Sequence, residues 1–194
     1  MKPPAHDTPL PHDAGATASA WSPARRRWLF ASVAAAAAAA GAGLSWWQSQ
    51  STDGAAAAAL PFWDMSFPTP EGKNLAMRTF SGKNLLLNFW ATWCPPCIEE
   101  MPLLDRFHAQ NRVDGWQVLG MAVDQGPAVR RFLIQTPVGF PVTLAGMAGV
   151  ELSRSLGNQG GGLPFSVVFD RDGQIVQRKM GQVTSQDLQQ WRAI

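Results

Sequence analysis

The run Leu85-Leu86-Leu87-Asn88-Phe89-Trp90 is apolar on both faces of a strand and leads directly into Ala91-Thr92-Trp93-Cys94-Pro95-Pro96-Cys97. A strand that is apolar on both faces needs cover on both sides, as in a parallel or mixed sheet between helices. The sequel supplies one such cover: from Pro95 to about Gln110, Ile98, Met101, Leu104 and Phe107 recur at helical spacing. Pro95 and Pro96 are tolerated in a first turn, where N–H groups lack partners in any case. Cys94 and Cys97, the only two cysteines, therefore stand where a buried strand turns into a helix.

Two cysteines separated by two residues are the minimal unit of dithiol–disulfide chemistry. The thiolate of one attacks a substrate disulfide and the other resolves the mixed disulfide. Cys94 is expected at the helix N-terminus, where free N–H groups and the helix dipole favour a thiolate. Half of a zinc site is the commonest alternative for such a pair, but no second pair is present to complete it. A purely structural bridge over so small a loop would constrain the unfolded chain little. A redox-active pair needing no metal and no cofactor is the expectation.

The ends of the chain differ in character. Residues 1–24 are rich in Pro, Ala, His and Ser without apolar periodicity and are expected to be disordered. Arg25, Arg26 and Arg27 then precede Trp28 to Trp47, a stretch without charge. A basic segment followed by an apolar one is a targeting element, and about 20 residues suffice to span a bilayer. Residues 25–47 are thus expected to export the domain to the extracytoplasmic (periplasmic) side, with 28–47 as a membrane anchor. Small-residue cleavage sites at Ala40-Gly41-Ala42 and within Ala55 to Ala59 leave a cleaved form open. The run Arg25-Arg26-Arg27-Trp28-Leu29 resembles a twin-arginine signal, so the export route also stays open. Residues 48–61 read as a linker and 62–194 as one domain. The chain carries a net charge of +2 overall, and in the domain acids and bases nearly cancel. No basic patch argues for nucleic acid.

Within the domain, Asn74 to Phe80 alternates like a short strand, Gln117 to Val123 reads as a second buried strand, and Pro127 to Gln135 as a helix. A short strand at Phe140 to Ala145, a helix at Gly149 to Leu156 and an apolar strand at Pro164 to Phe169 follow. Asp170-Arg171-Asp172-Gly173 marks a hairpin into Gln174 to Lys179. Thr184 with Asp187 has the form of a capping box opening a last helix from Ser185 to Trp191. The fold class expected is α/β with a mixed central sheet flanked by helices.

The segment from Leu87 to Pro102, with Trp93-Cys94-Pro95-Pro96-Cys97 and then Glu99-Glu100, resembles the thioredoxin superfamily, specifically its TlpA/ResA-like extracytoplasmic thiol–disulfide oxidoreductases. Gly162-Leu163-Pro164, just before a strand, is similar to that family's cis-proline loop. The resemblance implies a thioredoxin fold with a TlpA-type insertion over Asp124 to Gln159. It implies Cys94 as nucleophile, Cys97 as resolving cysteine, and a redox-active Cys94–Cys97 disulfide. It also implies Glu100 as an acid–base group and Trp93, Gly162, Leu163 and Pro164 as the substrate-binding surface. Trp90 is expected in the core and Glu99 in solvent. Asn88 stands where general thioredoxins carry an ionisable Asp, as is common in the extracytoplasmic branch. Gly160-Gly161-Gly162 is expected to loosen the proline loop.

By the same resemblance, the activity expected is reduction of disulfides in exported, cysteine-containing client proteins, for example during cytochrome c or copper-site maturation. A membrane electron donor of thiol-transfer type and a monomeric state are implied with it. Two alternatives share the fold. A thiol peroxidase would need Pro and Thr where Leu87 and Ala91 stand. A copper carrier or assembly factor would be expected to have a wider cysteine spacing and a distal His, yet no His follows His108.

Overall fold

The computed structural model describes residues 61–194. The disordered segment, the export and anchor segment and nearly all of the linker expected from the sequence lie outside the described residues. Among the described residues, no helix is long and apolar enough to cross a membrane.

Residues 61–63 are helical and lead into an antiparallel ribbon of β1 (Ser66–Pro68) and β2 (Asn74–Ala76). The chain then alternates β3 (Asn84–Trp90), α1 (Pro95–Asn111), β4 (Trp116–Ala122), α2 (Gly126–Gln135), β5 (Val142–Leu144) and α3 (Ala148–Ser155). It closes with the hairpin β6 (Phe165–Phe169) and β7 (Ile175–Met180), and then α4 (Ser185–Arg192). The five longer-range strands form one sheet in the order β5-β4-β3-β6-β7. β3 is parallel to β4 and antiparallel to β6, so the expected mixed sheet is present.

Alternation along β3 divides the core in two. Leu86 and Trp90 face Met101, Leu104 and Phe107 of α1 and Leu188 and Trp191 of α4. Leu85, Leu87 and Phe89 face the other way, against Phe62, Trp63, Met77 and Phe80 from the turns on either side of the N-terminal ribbon and Leu152 of α3. Every residue of β3 is buried, as its two-sided apolar pattern requires.

Some boundaries differ from the sequence reading. The strand expected over Asn74 to Phe80 ends at Ala76, and Met77–Phe80 form a 3₁₀ turn. Leu75 and Met77, two apart, carry the alternation, but Met77 and Phe80 are three apart. Side chains three apart eclipse on one face of a 3₁₀ turn, so both are buried there without an extended chain. The strand expected over Phe140 to Ala145 is confined to Val142–Leu144. The capping box at α4 is complete. Asp187 N–H donates to the Thr184 hydroxyl, and the Asp187 carboxylate accepts from the Thr184 N–H at 2.7 Å.

Candidate active site

Cys94 is the N-cap residue of α1, in extended conformation, and its carbonyl accepts from Ile98 N–H at 3.2 Å. Pro95 and Pro96 fill the first two helical positions, so Cys97 carries the first backbone N–H of the helix. Cys94 and Cys97 are joined in a disulfide. Cys94 is 5% exposed and Cys97 is fully buried, so a partner can approach only the former. Trp93, immediately before it, is 66% exposed, whereas Trp90 is fully buried. The two tryptophans part as the sequence reading expected.

The Leu163–Pro164 peptide bond is cis. The register Phe89↔Phe165 between β3 and β6 brings this bond to the end of the sheet at which β3 gives way to the cysteine loop. The glycine loop before it is tied down. Asn158, itself buried, donates Nδ2–H to the Gly162 carbonyl at 2.9 Å, and Gly161 N–H donates to the Asn158 carbonyl.

Beneath the cysteines lies a buried polar cluster. Glu100 is three residues past Cys97 on α1, a spacing that puts both on one helix face. It is 1% exposed. Its Oε1 accepts from Asn88 Nδ2 at 2.7 Å and its Oε2 from Val183 N–H at 2.6 Å. Asn88 Nδ2 also donates to Ser166 Oγ at 3.1 Å, so β3 and the loop before α4 meet on the carboxyl group of α1, and β6 joins the cluster through Asn88. Burial raises the Glu100 pKa from 4.5 to about 7, against the opposing effects of the two hydrogen bonds and of Lys179. A carboxyl group with a pKa near neutrality can both accept and return a proton at working pH. Glu99, by contrast, is exposed.

Asp124 is a site residue that the sequence reading did not single out. It follows β4, and its Oδ2 accepts from Thr92 N–H at 3.0 Å and Thr92 Oγ1–H at 2.5 Å. Its Oδ1 accepts from Gln125 N–H at 2.6 Å. These bonds hold the loop that carries Trp93 and Cys94. The available signal was an acid placed directly between a buried strand and a helix, where free N–H groups gather. Among the described residues, no three His, Cys, Asp or Glu side chains converge to hold a metal ion.

A cysteine pair starting the helix after the central strand, beside a cis-proline at the same end of the sheet, is the site of a thiol–disulfide oxidoreductase of thioredoxin-like fold. The chain belongs to the Redoxin family, which matches residues 55–191. It is 33% identical over 122 residues to the thiol–disulfide oxidoreductase ResA of Bacillus thuringiensis subsp. konkukian, covering 62% of this chain and 68% of that protein. Among solved structures, it is similar to a thiol:disulfide interchange protein of the thioredoxin family from Chlorobium tepidum. That match has a TM-score of 0.57 and 30% identity, over 66% of this chain and 89% of that one. StoA of Bacillus subtilis shares the fold at a TM-score of 0.54 and 24% identity, over 66% and 95% of the two chains.

Proposed function

We propose that this chain reduces disulfides in exported proteins on the extracytoplasmic side of the membrane, in the service of cytochrome c or copper-site maturation. The observation that carries this reading is the Cys94–Cys97 pair at the start of α1, at the same end of the sheet as the cis Leu163–Pro164 bond and with the buried Glu100 carboxyl group on the helix face that Cys97 occupies. Export is supported by the three arginines followed by an uncharged apolar stretch. The ResA relative carries the name of the same class of enzyme.

In the reduced protein the Cys94 thiolate attacks one sulfur of a client disulfide. The new Cys94–client bond forms as the client S–S bond breaks, and the departing client sulfur takes up a proton. Cys97 then loses its proton to Glu100 and attacks Cys94. The second client sulfur leaves as a thiolate and is protonated in turn by Glu100. Two electrons pass from the dithiol to the client, and the protein is left with the Cys94–Cys97 disulfide. A membrane dithiol donor restores the reduced state.

The test is a Cys97→Ala variant expressed in the native envelope, where it should accumulate mixed disulfides between Cys94 and exported cysteine-containing proteins. Recovery of these adducts after thiol quenching, identified by mass spectrometry, supports the reading. Adducts formed only with cytoplasmic proteins, or none while the Cys94 thiol stays reactive, would overturn it.

A further inference from the structure

Lys179 stands on β7, the strand at one edge of the sheet, a place where lysine side chains ordinarily extend into water. This one is held back. Its side chain is 27% exposed, and its Nζ donates to Asp187 Oδ2 at 2.7 Å. The same Oδ2 accepts from Thr184 N–H at 2.7 Å and from Thr184 Oγ1–H at 2.6 Å. Burial pushes the Asp187 carboxyl group up, but the hydrogen bonds from Lys179 and Thr184 outweigh this and hold it below the usual carboxylate range. Asp187 is therefore ionised at neutral pH and keeps the ammonium group in place.

That place is on the Glu100 side of the sheet. Lys179 is the register partner of Ser166 across β6 and β7, and residues directly opposite in an antiparallel pair share a face. Ser166 Oγ accepts from Asn88, which in turn donates to Glu100. At the other end of the lysine, Asp187 closes the capping box on Thr184, the residue after Val183, whose N–H donates to Glu100 Oε2. Both ends of Lys179 thus lie one step from a group that bonds the carboxyl. Arg178, its neighbour on β7, bonds the Leu156 carbonyl instead. The groups that β3, β6 and the loop before α4 turn toward Glu100 are neutral: Asn88, Ser166 and the Val183 N–H. On α1 itself, Cys97 shares its face and Glu99 is exposed. Asp187 of α4 reaches it only through Lys179. Burial raises the Glu100 pKa, and the charge that opposes burial is that of Lys179.

We propose that Lys179, fixed by Asp187, is a positioning residue for disulfide exchange: its ammonium group supplies the charge that lets the Glu100 carboxyl ionise and take the proton of Cys97 as Cys97 attacks the mixed disulfide. The proposal deepens the oxidoreductase reading above and rests on it. Without the cation, a carboxyl group as buried as Glu100 keeps its proton to higher pH and is no base for Cys97. With it, the thiol proton moves to the carboxylate, leaving a thiolate and a neutral carboxylic acid. Lys179 takes no part in that transfer and acts through Glu100. The capping box that opens α4 thereby serves the redox site as well as the helix.

The experiment uses the full-length chain, carbon-13 labelled at the glutamate carboxyl groups and oxidised so that no thiol titrates. The Glu100 resonance is the one missing from Glu100→Gln, and its shift is followed across the neutral pH range. Lys179→Met should move the midpoint up by roughly half a pH unit, and Lys179→Arg should leave it near the wild-type value. Lys179→Gln replaces the methionine variant if that one does not fold. In the reduced proteins, stopped flow follows release of a chromophoric thiol from its mixed disulfide with Cys94. At about pH 6 this release should be about threefold slower in Lys179→Met than in the wild type, and the ratio should return to one when both also carry Glu100→Gln. A midpoint unmoved in Lys179→Met and Lys179→Gln, or moved equally by Lys179→Arg, would overturn the proposal and leave the exchange reaction standing. A rate difference that persists beside Glu100→Gln would place the action of Lys179 on the sulfurs themselves and also sink it. No release of the thiol by the wild type would instead overturn the oxidoreductase reading on which the proposal rests.

Discussion

Replacing Glu100 with Gln removes one ionisation from the core while nearly preserving shape. The folded protein holds the Glu100 proton up to a pH of about 7, against 4.5 for the exposed group. The folded state therefore binds more protons than the unfolded state between those values, and stability falls as pH rises through that window. Each pH unit of displacement corresponds to about 1.4 kcal/mol, so the fully ionised group costs the fold roughly 3 kcal/mol above pH 7. Between pH 5 and pH 8 the loss amounts to roughly 2–3 kcal/mol. In Glu100→Gln this component disappears. The new amide requires one hydrogen bond to reverse, because Asn88 Nδ2 and Val183 N–H both donate to the carboxylate. Asn88 can meet this by turning its amide over. Its Oδ1 has no partner among the described residues, and Ser166 Oγ can donate as readily as accept. The assay is urea unfolding of the oxidised protein and the variant at pH 5 and pH 8. The wild type should lose roughly 2–3 kcal/mol more than the variant across that interval. Parallel pH dependence in the two proteins would refute the assignment of a neutral-range pKa to Glu100.

The two tryptophans should separate stability from turnover. Trp90→Ala should destabilise by about 3–5 kcal/mol through the cavity it leaves, whereas Trp93→Ala should change stability by about 0.5 kcal/mol or less and slow exchange with protein disulfides. Denaturant unfolding and a protein-disulfide reduction assay read the two effects. Asp124→Ala should cost roughly 0.5–1.5 kcal/mol at pH 7 by removing the part-buried hydrogen bonds to Thr92. The Asp124 carboxyl group titrates below its usual range, so its contribution is present above the unfolded value of 3.8 and lost as pH falls through the folded one. The penalty of the variant, measured by urea unfolding, should therefore shrink in strong acid.

What was legible in the sequence was what short spacing encodes. The apolar run of β3, the helical stripe of α1, the hairpin turn and the capping box at Thr184 and Asp187 each depend on residues a few positions apart. The cysteine pair and the outward Trp93 belong to one specific motif, whereas the cis-proline is implied only by the family resemblance. The Met77–Phe80 turn is hidden in the sequence because Leu75 and Met77, two apart, continue the strand's alternation into a residue that the 3₁₀ turn buries beside Phe80. The cluster under the cysteines could not be read locally, since Asn88, Glu100, Ser166 and Val183 come from four separate stretches of chain. On sequence grounds Asn88 was simply a residue unable to ionise. In the fold it is the group that holds the ionisable one. Asp124 and Asn158 escaped notice for the same reason, because what each fixes is a loop brought to it by the sheet.

The place of β3 between two partner strands has a further consequence for motion. All of its residues are buried, and both of its edges are hydrogen-bonded to β4 and β6. Exposing a β3 amide to solvent means parting β3 from a neighbour in the middle of the sheet, so these amides belong to the slowest-exchanging unit of the domain. The chain immediately after Trp90 is different in kind. It is a short loop and a helix turn in which Pro95 and Pro96 contribute no backbone donors. Successive making and breaking of the Cys94–Cys97 bond thus falls on a short segment braced through Thr92 by Asp124, at the end of the strand that opens last.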